Sequence, residues 1–431
     1  MKTLNVILIG AGNRGEAYTD VMLKMPDKFK VVGVADPVPE RCTDIRIKHG
    51  FSQEFCFDSW EKILDRPKFA DVAIISTMDK MHFGPAMKAI ELGYDILLEK
   101  PISPSAEECM QLASAAQAKG VKIMVCHVLR FTPYFRALKS FIDSGKLGKV
   151  MSINHIEEVG IRHQAHSFVR GNWGNKSRST FMLLAKSCHD MDIIQWLVGK
   201  NVKKIQSFGG LTYFTKDNAP NGAPERCIDG GCPIADSCIF NSVKAYLESD
   251  SLWFREAATM SVNPSDELVE KALQETQYGK CVFKCDNDVV DHQTVNMEFE
   301  DGTTGVFTMN AFSGGTRQTI IYGTRGQLAS TINSDTLTFT NFEKGEFYGE
   351  VEEIKISDCV TAGNDVNSGH GGGDNGIVET LYDYITGLRS ANEVSEIGIS
   401  AKNHLLSFAG EESRLNGTVI DLDEFEKSLS V

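Results

Sequence analysis

Gly10, Gly12 and Gly15 stand in the run Gly10-Ala11-Gly12-Asn13-Arg14-Gly15, between an apolar stretch at residues 5–9 and a helix-like segment reaching about Met25. Glycines at that spacing, after a strand and ahead of a helix, suit the holding of a pyrophosphate. The first permits a tight turn, the second lets the phosphate approach the backbone, and the third lets helix and strand pack closely. Free N–H groups at the helix start favour the phosphate charge. Residues 30–35 read as the next strand, which ends at Asp36. An acidic residue about 20 positions past the glycines is the expected partner of a ribose 2′-hydroxyl and repels a 2′-phosphate. The expected cofactor is therefore NAD rather than NADP.

A second stretch, residues 162–173, is dense in hydrogen-bonding groups: His163, His166, Arg170 and Asn172, with Trp173 as an aromatic plate. Sugars are held by such polar networks together with ring stacking. A loop whose polar groups satisfy one another is the competing reading. His370-Gly371-Gly372-Gly373-Asp374 is a further polar, glycine-rich loop ahead of a helix. Cys227, Cys232 and Cys238 lie close together among Gly and Pro, and Cys281 and Cys285 follow. Three clustered thiols suggest a metal clip. Yet the spacing is not the C-x-x-C of a zinc ribbon, and no fourth ligand is evident. Plain thiols, with no metal, are the expectation.

The elements that must position these groups alternate along the first part of the chain. Strand patterns at 72–76, 95–98 and 122–126 are interleaved with helix patterns at 82–92 and 105–119, the latter stopped by Gly120. This implies an α/β, doubly wound parallel sheet, with ligands at the strands' C-terminal ends, where Thr77, Glu99, Lys100 and His127 fall. After Cys126 the pattern changes to period-two alternation at 151–159, a hairpin at 294–299 and 305–309, and further strands at 318–322, 327–332, 336–341 and 351–356. Two domains are expected: a Rossmann domain at 1–126 and a larger α+β domain at 127–431, carrying the cysteine-bearing insertion at about 215–280. The 431 residues suit two domains, and a hydrophobic share of 42% suffices for two cores. A net charge of −14 spread along the chain argues against nucleic-acid or anionic-membrane partners. No apolar run approaches the ~20 residues that span a bilayer. With no signal-peptide pattern before residue 4 and an odd eleven cysteines, a cytoplasmic protein with free thiols is expected.

The glycine motif, Asp36, Thr77 with His82, and Glu99-Lys100-Pro101 together resemble the Gfo/Idh/MocA family, named for glucose–fructose oxidoreductase, inositol dehydrogenase and rhizopine catabolism. So do His127 with Arg130-Phe131-Thr132-Pro133, His189-Asp190-Met191-Asp192, and the Gly323–Gly326 turn. The resemblance implies an NAD-dependent oxidoreductase acting on a sugar or polyol. Its second domain would be one large, mostly antiparallel open sheet, with a homodimer or homotetramer contact on one face. It places Gly10, Gly12, Asn13, Arg14, Asp36, Ser76, Thr77, His82, Glu99, Lys100 and His127 at the cofactor. His163, His166, Arg170, Trp173 and His189 fall to the substrate. Lys100 would lie beside the nicotinamide and stabilise a developing alkoxide, and His189 would accept the hydroxyl proton. Asp192, one turn on, would orient the imidazole. One position departs from inositol-dehydrogenase-like members, which carry an Asp four residues before the His; here it is Ala185, and the adjacent Lys186 is a substitute candidate. An NAD-dependent glycoside hydrolase, working by transient sugar oxidation and elimination, and a nucleotide-binding regulator without turnover are the alternatives.

Overall fold

A computed structural model describes residues 2–360 and 371–429; His370 lies outside the described residues. Six parallel strands form the first sheet: β1 (Leu4–Ile9), β2 (Phe29–Ala35), β3 (Cys56–Phe57), β4 (Val72–Ile75), β5 (Asp95–Leu98) and β6 (Ile123–Val125). Their order is β3-β2-β1-β4-β5-β6. All four residues of β4 are buried because helices cover both faces, which is why the strand is apolar without alternation. The order reverses between β1 and β4, so a crevice opens beyond their C-terminal ends, at Gly10 and Ser76.

Residues 1–126 do not close this core alone. Ile377, Val378, Leu381 and Tyr382, from the helix Gly373–Ile385, complete the apolar cluster on the face that holds Tyr18 and Met22. Ile397 and Ala401 enter the cluster on the opposite face. Val125 N–H donates to the Ser395 carbonyl (2.8 Å), which seals the β6 edge. The nucleotide domain thus draws on residues that the expected boundary assigns to the second domain.

The second sheet has nine strands: β7 (Val150–Glu158), β8 (Val202–Gly210), β9 (His292–Phe299), β10 (Thr304–Asn310), β11 (Thr316–Gly323), β12 (Gly326–Thr331), β13 (Thr336–Asn341), β14 (Glu350–Lys355) and β15 (Ile420–Asp421). They lie in the order β14-β13-β12-β11-β7-β10-β9-β8-β15, antiparallel except for β7 against β10. Helices Pro133–Asp143, Cys188–Val198 and Ile397–Asn416 share one core with the sheet's inner face. Strand alternation places Ile153, His155 and Glu157 of β7 on that face, all buried. The register sets Arg317 opposite Glu157 and Thr319 opposite His155. The insertion contributes no strand to either sheet. It packs around two small apolar clusters, one at Phe214, Phe240 and Phe283, the other at Tyr246, Val269 and Leu273. Among the described residues no helix is long and apolar enough to cross a membrane.

Candidate active site

The glycine loop is fixed by contacts that only glycine tolerates. Gly10 has a φ of +91°, and a Cβ there would lie 2.6 Å from the Ser76 carbonyl oxygen. A Cβ on Gly15 would lie 2.2 Å from Gly10 O, so the third glycine lets the helix meet the loop. Gly12 differs: the nearest atom to its added Cβ is Arg41 Nη1, at 3.9 Å. Among the described residues nothing requires glycine there, and the open space in front of it is what a pyrophosphate would fill. Arg41, unmarked in the sequence reading, flanks that space. Asp36 is buried at the lip of the loop, accepting from Ala11 N–H (2.7 Å) and Val38 N–H (2.9 Å). The residues fit NAD. Replacing Asp36 by alanine is expected to narrow the preference for NAD over NADP, read as the ratio of kcat/KM for the two cofactors. A wild-type protein that prefers NADP would overturn the assignment.

Several residues expected at the cofactor turn out to hold the loops around it. Ser76 donates its hydroxyl to Gly10 O (2.8 Å), and Thr77 donates to Met81 O (3.2 Å). His82 is buried, with Nδ1 2.7 Å from Pro101 O and Nε2 3.0 Å from Thr77 O, so it braces the loop after β4 against the lysine-bearing turn. Glu99 accepts from Arg14 Nε (2.9 Å), the Tyr18 hydroxyl (2.6 Å) and Lys100 N–H (2.9 Å). Burial works to raise its pKa, but the Arg14 and Lys100 charges and the Tyr18 hydrogen bond bring it below the ordinary glutamate value. Arg14 reaches on to Asp374 in a bidentate pair (2.7 and 3.1 Å), tying the glycine-loop helix to the helix that begins at Gly373.

Lys100 follows directly, joined to Pro101 by a cis peptide bond. Its Nζ donates to the Ala185 carbonyl (3.0 Å). Ala185, noted as a departure from inositol-dehydrogenase-like members, thus serves the site through its backbone. His189, four residues on, is the second residue of the helix Cys188–Val198 and packs edge-to-face on the His127 ring at 5.7 Å. His127 is fully buried, and burial pushes its pKa down to about 4. Among the described residues neither of its ring nitrogens has a hydrogen-bond partner. The His127 ring also meets His404 edge-to-face at 5.3 Å, a residue that sequence reasoning missed because its helix carries no nearby motif. There Nδ1 lies 2.8 Å from Ser400 O and Nε2 takes the Ile102 N–H (3.1 Å), which props the chain just past Lys100-Pro101.

The expected role of Asp192 is corrected. Its carboxylate accepts from Arg130 (2.6 and 2.7 Å) and Asn403 (2.7 Å), with His127 Nε2 at 3.9 Å, so it is spent on the domain junction and not on orienting His189. Asp190 instead meets His155 Nε2 (3.0 Å) and Arg317 Nε (2.8 Å). Burial opposes its charge, yet Arg317 and His155 hold the carboxyl well below the usual range. Lys186 Nζ lies 3.2 Å from Glu157, which also pairs with Arg317 (2.5 Å). Burial lowers the Lys186 pKa; Glu157 opposes this, and the Arg317 and Lys100 charges add to it.

The polar stretch divides in two. His163 lies within range of the Lys186 and Lys100 charges: burial first, then the Lys186, His166, Arg317 and Lys100 charges, push its pKa to about 3. Trp173 donates to the buried carboxylate of Asp79 (3.0 Å), in the loop after Thr77. His166 and Arg170 turn away. His166 stacks flat on Phe254 at 4.1 Å, with Nδ1 2.9 Å from the Tyr246 hydroxyl. Arg170 donates to Lys280 O (2.9 Å) and Phe240 O (2.7 Å). Both polar groups are consumed inside the insertion's core, so neither faces the cleft with Lys100 and His189 as expected. The insertion adds contacts that no motif signals: the Trp253 ring lies edge-on to His163 with centroids 5.2 Å apart, and Glu256 and Met260–Val262 line a pocket with Ala11, Asn13 and Arg41 of the glycine-loop region.

Residues 4–127 match the model of an oxidoreductase family with an NAD-binding Rossmann fold, and residues 139–389 match that family's C-terminal α/β domain. The chain belongs to the Gfo/Idh/MocA oxidoreductase family. Its first domain is accordingly an NAD-binding domain. A Bacillus subtilis (strain 168) protein, YteT, whose name goes no further than oxidoreductase, is 24% identical over 88% of each chain. An inositol 2-dehydrogenase of Burkholderia cenocepacia (strain HI2424) is 27% identical over 47% of this chain and 57% of its own. Levoglucosan dehydrogenase, solved with NADH and L-sorbose, shares the Gfo/Idh/MocA fold with a TM-score of 0.70 at 19% identity, covering 98% of this chain and 99% of the other.

Proposed function

We propose that this oxidoreductase removes hydride from a secondary hydroxyl of a sugar, inositol or glycoside. The observation that carries the reading is that Ala185 O holds the Lys100 ammonium just ahead of the helix Cys188–Val198, whose second residue is His189. NAD, when bound, supplies the hydride acceptor. The Lys100 ammonium has three N–H donors and, among the described residues, spends one on Ala185, so others can meet a substrate oxygen; its charge stabilises an alkoxide forming there. His189 takes the hydroxyl proton. His163, kept neutral by burial, offers the sugar a hydrogen bond without a charge. Trp253 stands beside it as an aromatic edge.

The experiment is a panel of sugars, inositols and glycosides assayed with and without added NAD. Stoichiometric NADH is expected from one class of substrate, and no NADH from any would overturn the reading. One observation favours a second reading. The turn Met260–Val262 stands against the glycine-loop region, where it would slow cofactor exchange and suit a glycoside hydrolase that keeps its NAD through turnover. Aglycone release without net NADH, in the same assay, marks that outcome.

A further inference from the structure

The loop that follows β4 is gripped by the second domain. Asp79 and Lys80 stand in a single helical turn, Asp79–Met81, between Thr77 and His82. Asp79 is buried, and its Oδ2 accepts from the Trp173 indole N–H (3.0 Å) and the Ser179 hydroxyl (2.5 Å). Beside it, Lys80 Nζ donates to the Ser177 carbonyl. Hydrogen bonds onto a carboxylate are about twice as strong as neutral ones, and away from water they hold a fixed geometry.

Both ends of this contact are braced. On the first domain His82 bonds Thr77 O and Pro101 O, so the loop is coupled to the turn that bears Lys100. On the second, residues 172–179 are tied to the chain just past the insertion. Asp288 N–H donates to Gly174 O (2.9 Å), Lys176 N–H donates to Asp288 Oδ1 (2.8 Å), and Arg178 pairs with Asp286 (2.6 and 3.1 Å). The chain then runs through buried Ser179 and Thr180 into the helix Met182–Ala185, where Ala185 O holds Lys100, and on to His189. Trp173 lies 6.2 Å from the Phe168 ring, which lies 5.8 Å from His163. One carboxylate therefore joins the frame of Lys100 to the frame of His189 and His163.

We propose that Asp79 is a positioning residue for hydride transfer: its carboxylate clamps residues 172–180 to the loop after β4, and so fixes how the substrate side of the cleft meets Lys100 and the nicotinamide. The inference rests on the dehydrogenase reading above. Asp79 moves no proton itself and acts through Trp173 and Ser179. Misplacing reacting groups by about 1 Å costs on the order of 10²-fold in rate, so a clamp of this kind is felt at the chemical step. A contact that only stabilised the fold would shift the unfolding midpoint and leave the hydride step as it was.

Asp79→Ala is expected to lower kcat about 10- to 100-fold on the substrate that yields NADH, with NAD affinity unchanged and the acid limb of the pH profile kept. Substrate deuterated at the oxidised carbon should show a larger isotope effect on kcat, because misplacement slows hydride transfer above all other steps. The double variant Trp173→Phe/Ser179→Ala, which removes both donors, should match that loss, and adding Asp79→Ala to it should cost nothing more. Additive losses, or an Asp79→Ala protein with the wild-type kcat and isotope effect, overturn the proposal. Should Asp79→Ala fail to fold, the isotope effect of the double variant decides. A wild type that makes no NADH from any substrate fails the dehydrogenase reading alone. The clamp is then read from energy transfer between Trp173 and bound NADH, taken as the difference between proteins with and without Trp173→Phe. Asp79→Ala should change that transfer, and an unchanged transfer overturns the clamp.

Discussion

Replacing His189 by alanine is expected to lower the rate of hydroxyl oxidation by about 10²- to 10⁴-fold, the usual worth of general acid–base catalysis. NAD affinity, followed by fluorescence titration, should hardly change, because the glycine loop and Asp36 belong to the other domain. Oxidation needs an imidazole able to accept a proton, so the wild-type rate should fall toward acid, and the variant should lose that limb of the profile. Lys100→Ala should lose a comparable factor while still binding NAD, since its ammonium is the cation that Ala185 O holds at the site. A His189→Ala protein with the wild-type rate and the same acid limb would remove His189 as the base. Lys186 would then lead, because burial lowers its pKa against the pull of Glu157, and the Arg317 and Lys100 charges lower it further.

Acid should destabilise the fold over a defined window. Burial lowers His127 from 6.5 to about 4, and His166 and His404 from 6.5 to about 3. Between those values the unfolded chain takes up protons that the folded chain refuses, so stability rises with pH there. The stabilisation is complete above 6.5 and is lost as pH falls through about 4 and then about 3. For His127, with no exposed surface, the shift corresponds to roughly 3 kcal/mol, a large share of a stability of about 5–15 kcal/mol. Urea midpoints measured from pH 7 to pH 4 should fall steadily, and His127→Gln should flatten part of the slope. A midpoint constant over that range would show that these rings are not held neutral.

The nucleotide half was legible because its signals are local. A strand buried on both faces is an apolar run, and the glycine spacing and Asp36 mark the crevice. The strands at 150–158 and 292–355 were legible from alternation and turn glycines. β8, with Lys203, Lys204, Gly209 and Gly210 among its nine residues, carried too weak a pattern, and the two-residue β3 and β15 carried none. Within the site, Lys100 and His189 were reached through a motif, whereas Arg41, Trp253 and His404 are brought in only by tertiary packing. His166 and Arg170 misled for the converse reason. Polar residues in a dense run look like ligand contacts, but partners supplied by the insertion, Tyr246, Phe240 and Lys280, satisfy them first.

The helix Gly373–Ile385 has a consequence for biosynthesis. Ile377, Val378 and Leu381 close one face of the first sheet, and Asp374 supplies the carboxylate that pairs with Arg14 beside the glycine loop. A ribosome releases these residues some 350 positions after Met22. Until then the nascent first domain presents an uncovered apolar face around Tyr18 and Met22, and the helix that begins the nucleotide site lacks one anchor. Domains that emerge first ordinarily fold first. Here the first domain must wait for the helix Gly373–Ile385, so its cofactor site is completed only after the second sheet has been made, and the waiting surface is where a chaperone would be needed.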